Sequence, residues 1–319
     1  MEDIVRIHER MAAVREQMYR VIIGQDTVIE QLLACLLAGG HVLLEGVPGL
    51  GKTLLARTLA HLVDARYRRI QFTPDLLPSD IVGTHIFNFQ TSKFVFRKGP
   101  IFAEVLLADE INRTPPKSQA ALLEAMEERQ VTIEGITTRL PDLFFVMATQ
   151  NPIEYEGTYP LPETQLDRFM MKIVVSYPSP EAELSIIRAY SEGKDLHHLD
   201  SIVPSAVMTK EELLQFRRDV ARVTVKEDLL AYIRRIGAES RDTLYVQLGA
   251  SPRALVAALK AAKALAALRG ANFLSPDEIK DVVVPVLRHR IILRPEALID
   301  GLTPDYFLEN ILQRVPVPR

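Results

Sequence analysis

The sequence predicts an α/β fold in two parts: a mostly parallel sheet flanked by helices over residues 1–178, and an all-helical domain over 179–319. Three observations carry this reading. Short apolar runs of strand length recur at 41–45, 105–108 and 143–148, with helically spaced stretches between them. Strand, helix and strand in alternation favour parallel pairing, because a parallel neighbour needs a crossover long enough to hold a helix. After Tyr177-Pro178-Ser179-Pro180 the strand signal fades and helical periodicity takes over.

The elements follow in order. Residues 1–40 carry apolar positions at helical spacing, with a turn at Gly24-Gln25. HVLLE at 41–45 is a strand that runs straight into glycines, and LLARTLAHLV after Thr53 is a helix. Two insertions interrupt the alternation. HIFNFQTSKFVFRK at 85–98 alternates with period two on both sides of Thr91-Ser92. With those two residues as the loop, Phe89 faces Phe94 and Phe87 faces Phe96, which puts four phenylalanines on one hairpin face. QVTIEGITTR at 130–139 folds back around Glu134-Gly135, with Ile133 opposite Ile136. In the C-terminal part, Thr209 with Glu212 and Ser275 with Glu278 read as capping boxes. Ser251-Pro252 starts a long helix that ends near Gly270.

Composition narrows the function classes. With 48% hydrophobic and 25% charged residues the chain sits at globular averages, which excludes disorder and collagen-like repeats. A net charge of -3 is no nucleic-acid footprint. The single cysteine, Cys35, excludes a disulfide framework and any zinc site of several thiolates, and reads as a small core residue. Leu32–Leu44 is too interrupted to span a bilayer, and the start MEDIVRIHER is too acidic for a signal peptide. The expectation is a soluble, cytoplasmic protein.

The most specific motif is Gly46-Val47-Pro48-Gly49-Leu50-Gly51-Lys52-Thr53, a G-x-x-x-x-G-K-[ST] pattern after a strand and before a helix. Its glycines let backbone N–H groups converge on phosphates, and the next helix adds its positive end. Lys52 would reach the β- and γ-phosphates of ATP, and the Thr53 hydroxyl would ligate Mg²⁺; Leu54 completes the nucleotide-contacting run. Val105-Leu106-Leu107-Ala108-Asp109-Glu110 is an apolar strand ending in two carboxylates. Neighbours on a strand point to opposite sides, so the two divide the work. Asp109 would hold the Mg²⁺ shell, and Glu110 would orient and deprotonate the attacking water. Another apolar strand ends in Thr149-Gln150-Asn151, where a neutral amide could hold that water. Arg253, in the first turn of the helix from Ser251-Pro252, faces an unfavourable helix dipole that a phosphate or an acidic neighbour would relieve. Arg168, in Leu166-Asp167-Arg168-Phe169, reads equally as an internal ion pair.

Together these motifs resemble the AAA+ ATPases, and within them the MoxR family. The resemblance covers essentially the whole chain, through GVPGLGKT (46–53), FTPDLLPSDIVG (72–83), LLADEINR (106–113), ATQNP (148–152), YPLPETQLDRF (159–169) and GASPRAL (249–255). It implies an αβα AAA+ core and a helical lid, with 85–98 as the helix-2 insert and 130–139 as the insert before sensor 1. By the same resemblance Asn151 takes the sensor-1 position, Arg253 sensor 2, and Arg168 the arginine finger that reaches a neighbouring subunit's γ-phosphate. Ile23 and Gly24 match the segment that packs near the adenine.

The resemblance further implies a homo-oligomeric, hexameric ring. Its work would be chaperone-like remodelling of protein complexes, including metal or cofactor insertion, with a separate von Willebrand factor A domain partner. Two other readings stand beside it. Lys93, Arg97 and Lys98 on the first hairpin suit a nucleic-acid motor, although the acidic pI argues against nucleic acid; a nucleotide-gated scaffold would hydrolyse little, against which Glu110 speaks. The four-phenylalanine face either grips a client or packs within its own subunit. His197-His198 lacks further ligands at metal spacing and reads as a loop. Lys260, Lys263 and Arg269 read as a solvated helix face.

Overall fold

Residues 2–153, 157–196, 198–241 and 244–318 are described by a computed structural model. Helix α1 (Glu2–Val21) buries Ile4, Ile7, Met11, Val14, Met18 and Val21, an inward stripe at three- and four-residue spacing. The chain turns at Gly24 into α2 (Asp26–Leu37), whose second half is buried all round. Then come β1 (Val42–Glu45), α3 (Lys52–Leu62), β2 (Tyr67–Gln71) and α4 (Pro78–Val82). A hairpin of β3 (Gly83–Asn88) and β4 (Lys93–Lys98) precedes β5 (Val105–Asp109), a 3-10 turn at Ile111–Arg113 and α5 (Pro116–Glu128). A second hairpin, β6 (Gln130–Ile133) and β7 (Ile136–Arg139), leads to β8 (Phe145–Gln150), α6 (Glu163–Leu166) and β9 (Met171–Val174). Helices α7 (Pro180–Ser191), α8 (Leu199–Ile202), α9 (Lys210–Val220) and α10 (Glu227–Glu239) follow. The strand β10 (Val246–Leu248) precedes α11 (Pro252–Leu268) and α12 (Pro276–Leu287). The chain closes with β11 (Ile292–Leu293), which pairs antiparallel with β10, then α13 (Pro295–Ile299) and α14 (Pro304–Arg314).

The sheet is parallel, in the order β2-β5-β8-β1-β9. Alternate residues of its central strands serve two cores. Leu43, Leu106, Val146 and Ala148 pack with Ile81 and with Leu122 and Met126 of α5. Val42, Leu44, Leu107 and Met147 join α1, α2, α3 and the C-terminal helices in one continuous cluster that runs from Ile4 to Val315. The C-terminal helices therefore rest directly on one face of the layer that carries the site.

Several expectations need correction. The sheet has two strands beyond the three apolar runs, β2 and β9, and both lie at its edges. The C-terminal part also contains the short pair β10 and β11. In the first hairpin the loop is four residues, 89–92, because Asn88 Oδ1 accepts from the N–H groups of Gln90 and Thr91 and widens the turn. Phe87 therefore pairs with Phe94, and His85 with Phe96. The shift is two residues, so the phenylalanines still share one face: Phe87 lies 5.3 Å from both Phe89 and Phe94, ring to ring. Phe89 is 86% exposed and Phe94 72%, so this face is not a hairpin core packed within its own subunit; only Phe96 turns inward, onto Phe102 at 5.8 Å. The neck of the hairpin is made by Gly83 and Gly99, where a Cβ on either would collide with the backbone of the other.

The second hairpin forms as expected, with Ile133 opposite Ile136 across Glu134-Gly135. Ser275 and Glu278 make the full capping box, whereas at Thr209 only the hydroxyl half is present, accepting from Glu212 N–H. Arg269 is no solvated face residue; it ties Glu30 of α2 to Asp281 of α12 at 3.0 and 2.7 Å. Cys35 is buried, and burial pushes its thiol up to about 12. His198 is an exposed residue beside Asp195, while His197 lies outside the described residues. Among the described residues no group of three or more His, Cys, Asp or Glu is placed to hold a metal, and no helix is long and apolar enough to cross a membrane.

Candidate functional site

The loop between β1 and α3 uses its glycines for two different reasons. Gly49 and Gly51 take the left-handed conformation, at φ of 87° and 76°, in open space. Gly46 instead makes room: a Cβ there would lie 2.5 Å from the carbonyl oxygen of Val175, where β9 runs past. The loop folds over the start of α3, and the Lys52 ammonium donates to the carbonyls of Gly46 and Val47. Burial pushes the Lys52 pKa down, and the Asp109 and Glu110 carboxylates oppose that.

A cavity of about 550 Å³ opens against this loop. The loop and α3 contribute Pro48 to Leu54, β5 ends there in Asp109 and Glu110, and β8 delivers Thr149 and Asn151. Ile23 and Gln25 close one side. Of the residues expected here, Gly46, Val47 and Gly24 stand behind the wall. Gly46 and Val47 turn their carbonyls to Lys52, and Gly24 packs on Ala182 and Pro178 at the start of α7.

The two carboxylates do not point apart as strand alternation predicts. Glu110 leaves the strand in the left-handed conformation, φ 57° and ψ 49°, which swings it back onto the cavity that Asp109 faces. A left-handed glutamate is strained, and here it is held by its neighbours: Thr149 Oγ1 accepts from Glu110 N–H at 2.8 Å and donates to Asp109 Oδ1 at 2.6 Å. Asp109 Oδ2 takes two hydrogen bonds from Arg69, at 3.0 and 2.6 Å. Glu110 Oε2 accepts from the Gln71 amide at 2.6 Å and from Arg113 at 3.1 Å. The hydroxyl of Thr53 and the carboxylates of Asp109 and Glu110 share one cavity, a hard-oxygen donor set that fits Mg²⁺.

Neither expected arginine lines this cavity; among the described residues Lys52 is its only cation. Arg168 and Arg253 meet elsewhere, on Glu127 at the end of α5. Arg168 Nη1 lies 2.8 Å from Glu127 and also donates to the Leu123 carbonyl, while Arg253 lies 3.4 Å from Glu127 and 3.5 Å from Asp167. Both acid-pair readings of these residues thus hold, and the unfavourable dipole at Arg253 is offset by two carboxylates. Asn151 is buried on the cavity wall, where its Oδ1 accepts from Ile153 N–H at 3.2 Å.

Sequence reasoning missed three groups. Thr149 is one, its hydroxyl at a strand end bridging two neighbouring carboxylate-bearing residues. Arg69 and Gln71 sit on an edge strand that its polar composition concealed. Ile186 and Tyr190 of α7 and Leu196 beyond it form the far wall, with no local signal to set them apart from any amphipathic helix.

Comparison with known proteins agrees with this geometry. Residues 41–171 match the family model described as ATPase family associated with various cellular activities (AAA), and 238–311 match an AAA lid domain. An uncharacterized protein YeaC of Bacillus subtilis is 46% identical over 98% of this chain and 96% of its own. Chaperone MoxR1 of Mycobacterium tuberculosis is 44% identical over 94% of this chain and 80% of its own. Protein MoxR of Methylorubrum extorquens is 30% identical over 97% of this chain and 96% of its own. The crystal structure of a putative ATPase from Cytophaga hutchinsonii superposes with a TM-score of 0.91 at 41% identity, covering 100% of this chain and 98% of that one. Relatives this similar over nearly their whole length, on a phosphate-loop sheet with a helical lid, place the chain in the MoxR family of AAA+ ATPases.

Proposed function

We propose that this chain hydrolyses Mg·ATP at interfaces between copies of itself in a ring, hexameric by the family resemblance, and spends the cycle on chaperone-like remodelling of protein complexes. One observation carries the reading: among the described residues no arginine lines the cavity that suits ATP, while Arg168 and Arg253 stand together outside it on Glu127. With Arg290 on Asp167, three guanidiniums share the carboxylates of Glu127 and Asp167, which leaves positive charge to spare for a neighbour's phosphates. An arginine supplied in trans is worth about 10³–10⁵ in rate.

In this mechanism the loop 48–51 and Lys52 bind the phosphates, with Leu54 and Ile23 on the nucleoside side. Thr53 and Asp109 would hold Mg²⁺, which would neutralise phosphate charge when bound. Glu110 takes the proton of the attacking water, and Asn151 orients that water from the neighbouring strand. For Glu110 to act, the hydrogen bonds from Gln71 and Arg113 must give way. The exposed face of Phe87, Phe89 and Phe94 supports a protein client rather than an internal core. Family resemblance adds a separate von Willebrand factor A domain partner and metal or cofactor insertion as the task, and a cytoplasmic setting.

The test is steady-state phosphate release from Mg·ATP at rising protein concentration, with Glu110→Gln as the blank. Turnover per subunit should climb with concentration and vanish in the variant. Nucleotide binding without release above the blank would overturn the reading and favour a nucleotide-gated scaffold. One observation favours a nucleic-acid motor instead: Arg66, Arg68, Lys98 and Arg139 line a second cavity of about 610 Å³ beside the hairpins. Salt-dependent binding of single-stranded DNA, with a steep slope in salt concentration, would support that alternative.

A further inference from the structure

Arg168 sits in a short connecting segment. Helix α6 has four residues, none of them buried, and residues 167–170 connect it to the edge strand β9. The core holds it through the buried Phe169 and the Met170 N–H on the His41 carbonyl, and the C-terminal helices hold its carbonyls. Arg290, just beyond α12, has a side chain only 5% exposed. Its guanidinium donates to Asp167 Oδ1 at 2.5 Å, to the Asp167 carbonyl at 3.1 Å, to the Phe169 carbonyl at 2.9 Å and to the Met170 carbonyl at 3.1 Å. A further bond, at 2.5 Å to the Val286 carbonyl, anchors it to its own helix. His289 Nε2 lies 3.0 Å from the Phe169 carbonyl, which can only accept, so this nitrogen carries the proton. Every carbonyl in 167–170 except that of Arg168 is thus captured by two consecutive lid residues. The fork of an arginine is what this takes, since a lysine cannot span four acceptors from one nitrogen.

We propose that Arg290 is a positioning residue for Arg168: it clamps the backbone on both sides of that arginine to the lid, so that the lid sets where the guanidinium points. The proposal rests on the reading that Arg168 serves a neighbour's nucleotide. It also gives the lid a mechanical route to the neighbouring subunit. Arg253 approaches Asp167 at 3.5 Å from α11, so two lid elements grip the same short segment. Arg290 itself does not line the nucleotide cavity, so its effect on ATP must pass through Arg168. Displacing a catalytic group by about 1 Å costs on the order of 10²-fold in rate.

The test uses mixed oligomers. Subunits carrying Glu110→Gln cannot hydrolyse their own ATP but can still offer Arg168 to a wild-type neighbour. Wild-type protein is mixed at equal ratio with Glu110→Gln alone, with Glu110→Gln/Arg168→Ala, or with Glu110→Gln/Arg290→Met. Phosphate release is read in each mixture, with assembly checked by sedimentation and each dopant's affinity for a fluorescent ATP analogue measured. The Arg290→Met dopant should suppress wild-type turnover as far as the Arg168→Ala dopant does, while its nucleotide affinity stays within about twofold of the Glu110→Gln subunit's. An assembled Arg290→Met dopant that behaves like Glu110→Gln alone would leave Arg290 a packing residue and overturn the proposal. An Arg168→Ala dopant that behaves like Glu110→Gln alone would instead remove the trans role of Arg168, and the proposal with it. Should Arg290→Met fail to assemble, Arg290→Lys keeps the buried charge but not the fork; its dopant should still suppress turnover, and one that supports wild-type turnover fully counts against the clamp.

Discussion

Acid should weaken this fold through a histidine buried at the start of β1. His41 precedes β1; its Nδ1 accepts the Val146 N–H at 3.0 Å, and its ring meets Phe144 edge-on at 5.6 Å. Burial, with Arg129 and Arg217 nearby, lowers its pKa from 6.5 to about 3, against a smaller opposing effect of a backbone hydrogen bond. The folded ring therefore stays neutral, while the unfolded chain takes up a proton below pH 6.5. Between these two values the unfolded state binds more protons, so stability falls as pH falls through that window. At pH 5 the ring is about 1.5 units below its unfolded pKa, and at 1.36 kcal/mol per unit the loss relative to neutral pH is about 2 kcal/mol. His289 is also buried and held well below its ordinary value by burial, so it adds a loss of the same sign. Urea unfolding followed by circular dichroism at pH 7.5 and pH 5 would measure this. In His41→Gln an amide oxygen can still accept from Val146 but never titrates. The variant should lose about 2 kcal/mol less than wild type between the two pH values. Equal losses in both proteins would rule out His41 as the source and place the acid sensitivity elsewhere.

Three further outcomes are expected. Glu110→Gln should lower phosphate release by about 10²–10⁴-fold while a fluorescent nucleotide still binds, because the amide keeps the shape of the site and loses the base. Gly46→Ala drives a methyl group to 2.5 Å from the Val175 carbonyl and should destabilise the fold by roughly 1–3 kcal/mol, seen as a lower unfolding midpoint together with weaker nucleotide binding. Gln71→Leu removes a 2.6 Å hydrogen bond to the Glu110 carboxylate. The freed base should raise basal turnover by about 10–100-fold, the worth of one hydrogen bond to a charged group at about 1.5–3 kcal/mol, and an unchanged rate would show that Gln71 does not restrain it.

What could be read from the sequence follows from where each residue sits. The central strands β1, β5 and β8 are buried on both faces and therefore appear as unbroken apolar runs. The edge strands β2 and β9 are half exposed; YRRIQ carries too much polarity to stand out, and Lys172 interrupts the apolar run of MKIV. The phosphate loop was legible because its chemistry demands particular residues at particular places. Glu110 was legible as a residue but not as a conformation, since its left-handed turn depends on Thr149, a neighbour 39 positions away. The width of the first hairpin's loop is hidden in the sequence because Asn88, which sets it, looks like any strand residue. Nothing local marks Arg290 either: its importance lies in four acceptors more than a hundred residues upstream.

The glycine neck of the first hairpin bears on how such a protein can diverge. Gly83 and Gly99 touch backbone to backbone, so the chain enters and leaves the ribbon at one point. An excursion whose ends already meet can be lengthened, shortened or exchanged with little change in closure entropy and without moving α4 or β5. Selection can thus rewrite the exposed phenylalanine ribbon in one copy of the gene while the machinery on the other side of the neck is inherited unaltered. Paralogues that share an engine and differ in what they handle are the natural outcome of such a joint.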